Sequence, residues 1–267
     1  MKRFAVIILV LLLLLTLCAC DRPKTEEVEE TEYIGIVSAM DNEIAELIKE
    51  ADIERTDNIG SLQYYVGKLK GKPVVITKCG IGKVRSTAGV TAMFNNYRIS
   101  KVIFTGIAGG VADETKVMDQ VIATKLVEHD YGMITNDGFI WLSGDPGMAT
   151  DPGVYYDTDL LLTNLAYDCA VEVLGEEHVF KGVIATGDQF IASEDYVERL
   201  QNDYNAYACE MEGASVAVIC IQYNIPFTVI RCLSDKADGA AHDSYENFGD
   251  VAAANSSAIV LKMLEKI

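Results

Sequence analysis

The sequence predicts an α/β fold: a three-layer sandwich in which helices flank a central, mixed β-sheet. Short apolar runs of strand length alternate with helix-length segments. The strand-like runs are apolar almost continuously, as expected of strands buried on both faces. Their C-terminal ends carry Gly, Ser, Asp or Glu, where α/β folds place ligands. Residues 33–267 make one domain with a single substantial core, and no internal repeat interrupts them.

The first residues stand apart. Lys2-Arg3 is a basic start, residues 4–17 are almost wholly apolar, and Leu17-Cys18-Ala19-Cys20 follows. That is the three-part pattern of a secretory signal, and it is short for a membrane span. The expectation is a lipoprotein signal peptide over 1–19, cleavage after Ala19 and lipid on Cys20. An uncleaved anchor would also tether the domain. Residues 21–32 are polar and mostly acidic, an expected spacer between membrane and domain. The product is expected in a bacterial cell envelope, with the side of the membrane left open.

The elements follow in order. A buried strand is expected over 33–39, then a helix capped by Asp41 with Ile44, Leu47 and Ile48 inward and Glu43 in its first turn. Strands are expected over 63–69 and 74–77, joined by Lys70-Gly71-Lys72-Pro73. The Cys79-Gly80-Ile81-Gly82-Lys83 turn leads into a helix over 84–95; its spacing matches neither a dinucleotide fingerprint nor a Walker loop. A strand over 101–105 runs into a loop, Gly106-Ile107-Ala108-Gly109-Gly110, whose glycines permit close backbone approach to a flat ligand. After a strand over 120–127, residues 128–153 show no helical period and suit an interface or lid. A helix over 157–174 is expected to use Leu160, Leu161, Asn164, Leu165 and Val171 as its framework. A strand over 179–186 ends in Gly187-Asp188-Gln189-Phe190-Ile191, and Ser193 caps a helix through Leu200. A polar loop over 236–247 and a helix over 250–264 close the chain.

The chain is organised around Glu210-Met211-Glu212-Gly213-Ala214-Ser215, an acidic loop feeding a helix, and the buried run 227–233 that delivers Arg231, Ser234 and Asp235 to its end. Singly, each carboxylate has a bland role: helix-dipole compensation for Glu43, Glu210 or Glu212, a cap for Asp235. Phe190 could equally stack on a flat ring or plug the end of the sheet. Together, carboxylates flanking one buried helix–strand unit point to chemistry.

Forty acidic against twenty-two basic residues give a net charge of −18, which argues against nucleic acid as a partner but not against a neutral nucleoside. Cys79, Cys169, Cys209, Cys220 and Cys232 sit mostly in apolar runs and are expected as core thiols, not disulfides or zinc ligands. The three histidines are too scattered for a metal cluster.

Gly35-Ile36-Val37-Ser38-Ala39-Met40-Asp41-Asn42-Glu43, Cys79-Gly80-Ile81-Gly82-Lys83, Thr105-Gly106-Ile107-Ala108-Gly109-Gly110, Thr186-Gly187-Asp188-Gln189-Phe190-Ile191, Glu210-Met211-Glu212-Gly213-Ala214 and Arg231-Cys232-Leu233-Ser234-Asp235 occur in the order of one family. From residue 34 onward the chain resembles the 5′-methylthioadenosine/S-adenosylhomocysteine nucleosidases of the nucleoside phosphorylase superfamily. The resemblance implies a phosphorylase/hydrolase-like fold, a homodimer, and hydrolysis of the N-glycosidic bond of these nucleosides, and of 5′-deoxyadenosine, without cofactor or metal. It implies Asp235 as general acid towards adenine N7, Glu43 as the base that positions water, and Glu212 on the ribose hydroxyls with Met211 beneath the sugar. It further implies Phe190 stacking on adenine, Ile191 bonding its edge, Ile81 and Ile107 lining the site, and Arg231 and Ser234 supporting the acid and the nearby loop. Tyr245, Phe248 and the 128–153 segment of a second subunit would enclose the thioether tail.

The chemistry fits that allocation. Glycosidic cleavage builds positive charge on the sugar, which an ionised Glu212 would stabilise, and negative charge on adenine, which a protonated Asp235 would relieve. The division of labour is that of inverting glycoside hydrolysis. One departure is Ile107, where many relatives have serine. Two alternatives stay open: a phosphorylase, for which Lys83 and Arg85 are the available cations while Glu43 would repel phosphate, and a non-catalytic nucleoside-binding lipoprotein.

Overall fold

The computed structural model describes residues 31–141 and 155–267. The expected signal peptide, Cys20 and most of the expected tether lie outside the described residues, as does the latter half of the 128–153 segment. Among the described residues no helix is long and apolar enough to cross a membrane.

Among the described residues there are twelve strands and six α-helices. They are β1 (Tyr33–Ser38), α1 (Asp41–Glu50), β2 (Asp52–Ile59), β3 (Leu62–Leu69), β4 (Lys72–Lys78), α2 (Lys83–Asn96), β5 (Ile99–Gly110) and β6 (Gln120–Glu128). There follow β7 (Gly132–Thr135), β8 (Gly138–Trp141), β9 (Tyr156–Asp157), α3 (Leu160–Leu174), β10 (Val179–Thr186), α4 (Glu194–Tyr204), β11 (Ala206–Glu210), α5 (Gly213–Gln222), β12 (Phe227–Asp235) and α6 (Ala241–Lys266). The main sheet runs β2-β3-β4-β1-β5-β12-β6-β10-β11, with β9 beside β6. It is mixed, as expected: β1 is parallel to β4 and β5, and β5 to β12, whereas β6 runs against β12. The last strand, β11, also pairs antiparallel with the end of β5, so β5, β12, β6, β10 and β11 close on themselves.

Helices α1, α3 and α6 cover one face through Ile44, Leu47, Ala166, Cys169, Ile259 and Met263. Helices α2 and α5 cover the other through Val90, Met93, Val216 and Ile219. All five cysteines among the described residues are buried and free, as expected of core thiols.

Several elements differ from their sequence expectations, each for a physical reason. The glycine run 106–110 is strand, not loop: β5 continues through it to pair with β12 on one side and β11 on the other. Asp41 is not the cap of α1; it is exposed and paired with Lys78, while the Glu43 carboxylate turns back onto the N–H groups of Ala39 and Met40. The β3–β4 turn is tighter than Lys70-Gly71-Lys72-Pro73. Lys70 and Gly71 both take positive φ, and Pro73 already pairs with Lys68. Asp159 caps α3 by accepting from Leu162 N at 2.9 Å, which turns Leu162, Ala166, Cys169 and Ala170 inward. Leu160 and Leu161, expected in the framework, are therefore 71% and 80% exposed. The closing helix begins at Ala241, nine residues before the predicted start, because the polar segment expected as loop is the outer face of its first turns.

Candidate active site

A cavity of about 320 Å³ opens where β1, β5, β10, β11 and β12 end. Glu43, Glu212 and Asp235 all line it, from three separate elements. Met211, Phe190, Ile81, Ile107 and Ser234 line it as well. Ile191 closes a smaller recess shared by Phe190, Met211 and Asp235. The strands meet here only because the sheet closes: β5 pairs Gly109 with Cys209 of β11 and with Asp235 of β12.

The glycines of β5 make room for carboxylates. A Cβ on Gly106 would collide with Glu43 Oε1, and one on Gly109 would lie 2.9 Å from Asp235 Oδ1. The close approach expected of this segment is thus to the protein's own acids as well as to the cavity.

On one side, Asp235 accepts from Ser234 Oγ at 2.8 Å and from Ala237 N at 2.7 Å. Burial raises its proton affinity above the ordinary carboxyl range, and these two hydrogen bonds offset that only in part. On the other side, Glu43 accepts from Ala39 N and Met40 N at 2.8 Å and from Ile107 N at 2.9 Å. Burial still pushes its pKa up, against Arg231 and those three donors. A carboxylate offers about four acceptor positions, so one remains for a water.

Glu212 accepts from Gly82 N at 2.7 Å. Burial, reinforced by the neighbouring Glu210 charge, pushes its pKa up to about 8, with Arg231 and the Gly82 N–H pulling the other way. The ligand-free site thus holds a proton on Glu212 more readily than an ordinary carboxyl would, while the expected ionised Glu212 concerns the transition state. Burial is the main cause, and the balance of charge adds to it, because the one cation Arg231 faces Glu43, Glu210 and Glu212 together.

Arg231 supports a different acid from the one expected. It is buried, does not bond Asp235, and donates to Glu210 Oε2 at 2.7 Å while lying over the Phe104 ring. Glu210 in turn accepts from Glu212 N, Gly213 N and Thr186 Oγ1. It is a hub to which the sequence reading gave only helix-dipole compensation within the acidic loop, although its place two residues before Glu212 was a signal. Ser234 does hold the acid, through the 2.8 Å bond to Asp235.

Three loops are tied around the cavity by a closed ring. Lys83 N donates to Asp188 Oδ1, Asp188 N to Asp130 Oδ2, and Lys83 Nζ to Asp130 Oδ1, each at 2.7 Å. Glu128 adds a second partner to Lys83 at 3.1 Å. The N–H groups of Gly82 and Lys83, which could have cradled a phosphate, are thereby given to Glu212 and Asp188.

The phosphorylase superfamily profile matches residues 33–265. A 5′-methylthioadenosine/S-adenosylhomocysteine nucleosidase of Haemophilus influenzae (strain PittEE) is 38% identical over 236 residues, 88% of this chain and 99% of that one. The chain belongs to this nucleosidase family of the phosphorylase superfamily. The nucleosidase of Neisseria meningitidis, solved with methylthio-immucillin-A, superposes with a TM-score of 0.80 at 31% identity, covering 89% of this chain and all of that one. Futalosine hydrolase of Helicobacter pylori strain 26695 gives 0.76 at 33% identity, covering 88% and 98%.

As a member of that family, the chain brings the expected catalytic and substrate-binding side chains other than Arg231 and Phe248 to the cavity or its recess. Residues not assigned from sequence also line it: Met40, Cys209 and His242, the last at the start of α6. Tyr245, expected around the tail, lines it too, edge-on to Phe190 at 6.4 Å between ring centroids. Phe248 is exposed and absent from the lining.

Proposed function

We propose that this nucleosidase-family protein hydrolyses the N-glycosidic bond of 5′-methylthioadenosine and S-adenosylhomocysteine, releasing adenine and the 5-substituted ribose. One observation carries the choice of water over phosphate. Four carboxylates (Glu43, Glu210, Glu212 and Asp235) line the cavity, and among the described lining residues there is no Lys or Arg to hold a phosphate. Lys83 is committed to Asp130 and Glu128.

In this reading adenine lies against Phe190 and beside Ile191, and Asp235 gives its proton to N7 as the bond from C1′ to N9 breaks. A water on the free acceptor position of Glu43 attacks C1′ and gives Glu43 its proton. Glu212 meets the ribose hydroxyls above Met211. With a pKa near neutrality, Glu212 gives its proton to solvent before bond cleavage in the reactive complex, and its negative charge stabilises the positive charge growing on the sugar. Ile107 and Ile81 supply apolar lining, and Ile107 also holds Glu43 through its backbone N–H. Ser234 orients Asp235, and Arg231 acts at one remove, through Glu210.

The deciding experiment incubates the purified protein with 5′-methylthioadenosine, with and without phosphate. Free adenine and methylthioribose, independent of phosphate, are expected. A sugar 1-phosphate would indicate phosphorolysis, and tight binding without turnover a receptor. Homodimerisation and a lipid on Cys20 belong to the same reading. Solution mass tests the first, and palmitate labelling of wild type against Cys20→Ala tests the second.

A further inference from the structure

A second cavity of about 460 Å³ adjoins the first and shares Ala39, Met40 and Ile81 with it. It opens on the Glu43 side, away from Asp235 and Ile191, and adds Asp41, Lys78 and Arg85. In a chain of net charge −18, a recess with two cations and one anion beside the substrate cavity is a local reversal of sign.

Arg85 is placed there by the turn before α2. Gly80 has φ +89, and a Cβ on it would meet Arg85 Cδ at 3.0 Å, so the bare glycine lets the arginine stem fold back over the turn. Arg85 Nη1 donates to Ile81 O at 3.0 Å, and among the described residues the side chain makes no ion pair. Its Nε and Nη2 groups remain to donate. Lys78 and Asp41 pair with each other at 2.6 Å and are both solvent-accessible. This is the charge pattern of a site for a zwitterion: a forked donor for a carboxylate, and a carboxylate for an ammonium.

We infer that the second cavity binds the amino-acid end of S-adenosylhomocysteine, with its α-carboxylate on Arg85 and its α-ammonium on Asp41. The inference rests on the proposed nucleosidase reading and names a subsite of that same site. 5′-Methylthioadenosine, which ends in a neutral methyl group, leaves the subsite empty, so Arg85 separates the two substrates.

The test measures kcat/KM for both substrates with the purified full-length chain in mild detergent, for wild type, Arg85→Met, Arg85→Lys and Arg85→Glu. Arg85→Met is expected to lower kcat/KM for S-adenosylhomocysteine about 5-fold, through KM, as befits a solvent-exposed charge-assisted contact. Arg85→Glu is expected to lower it further and Arg85→Lys to restore part of it, with 5′-methylthioadenosine changing less than about 2-fold throughout. Raising the salt should erode the wild-type preference and not that of Arg85→Met. Equal losses for both substrates would overturn the inference, showing that Arg85 only braces the Ile81 turn. So would S-adenosylhomocysteine kinetics indifferent to all three variants. If wild type releases no adenine from 5′-methylthioadenosine, the nucleosidase reading itself fails, which is a different outcome.

Discussion

The two sides of the cavity hold their carboxylates differently. Asp235, at the end of β12, is held by one hydroxyl and one backbone N–H, with no guanidinium against it. Across the cavity, Glu43, Glu210 and Glu212 crowd around Arg231 and take N–H groups from Ala39, Met40, Ile107, Gly82 and Gly213. Both sides raise proton affinity by burial, but on the first only the Asp238 charge adds to it, whereas on the second several carboxylates share one arginine. An isolated buried acid can be a proton donor that neighbours scarcely disturb. A cluster with more carboxylates than cations keeps a proton and redistributes it when charge appears on the ligand.

The largest expected effect breaks the isolated side. Asp235→Asn should lower kcat about 10²–10⁴-fold with little change in substrate binding, the scale of a lost general acid. Single-turnover adenine release and binding of uncleaved substrate would check it. On the crowded side the damage should be structural: Arg231→Met leaves Glu210 buried without its cation and should cost about 3–5 kcal/mol of stability, read from thermal melts.

A smaller effect is expected from the ring between the two sides. Asp188→Ala removes the acceptor for Lys83 N and loosens the turn that presents Gly82 to Glu212. It should reduce kcat/KM about tenfold and shift the pH profile, whereas a purely structural role would alter melting without moving that profile.

The pH dependence of stability sharpens the contrast further. Glu212 has its pKa raised in the folded protein from an ordinary 4.5 to about 8, so between those values the folded state binds more protons than the unfolded one. The contribution is fully present below about pH 4.5 and is lost as pH rises through about 8. Thermal melts of wild type and Glu212→Gln across that window should diverge at the alkaline end, wild type losing stability with pH and the variant losing less. The smallest effect is expected at Ile107, whose backbone and not its side chain holds Glu43. Ile107→Ser should change kcat/KM within about threefold.

Much of the architecture was legible because burial writes a pattern. The strands at 33–38, 120–128, 179–186 and 227–235 are largely buried and apolar, and each was read close to its ends, whereas β5 was read only as far as residue 105 of its 99–110 span. Strand β2 was not. Its sequence, Asp52-Ile53-Glu54-Arg55-Thr56-Asp57-Asn58-Ile59, is that of an edge strand with few buried side chains, so the apolar signal is missing. Strand β11 was not read as a strand, and only its last residue, Glu210, was placed in the acidic loop, because it is five residues long and its terminal charge is compensated by Arg231 from another strand.

Local chemistry in the chain suffices for the fold class, for free core cysteines, and for a set of carboxylates placed just beyond strands. Those depend on hydrophobic pattern, turn residues and motif order, all of which are short-range. The cavity depends on closure of β11 onto β5, which brings Phe190 and Glu212, just beyond the ends of β10 and β11, to the side of Asp235. The proton held by Glu212 depends on which cation faces which acid, and Arg231 lies 19 to 188 positions from the acids it serves, a relation that no local pattern records because electrostatics acts through space and not along the chain.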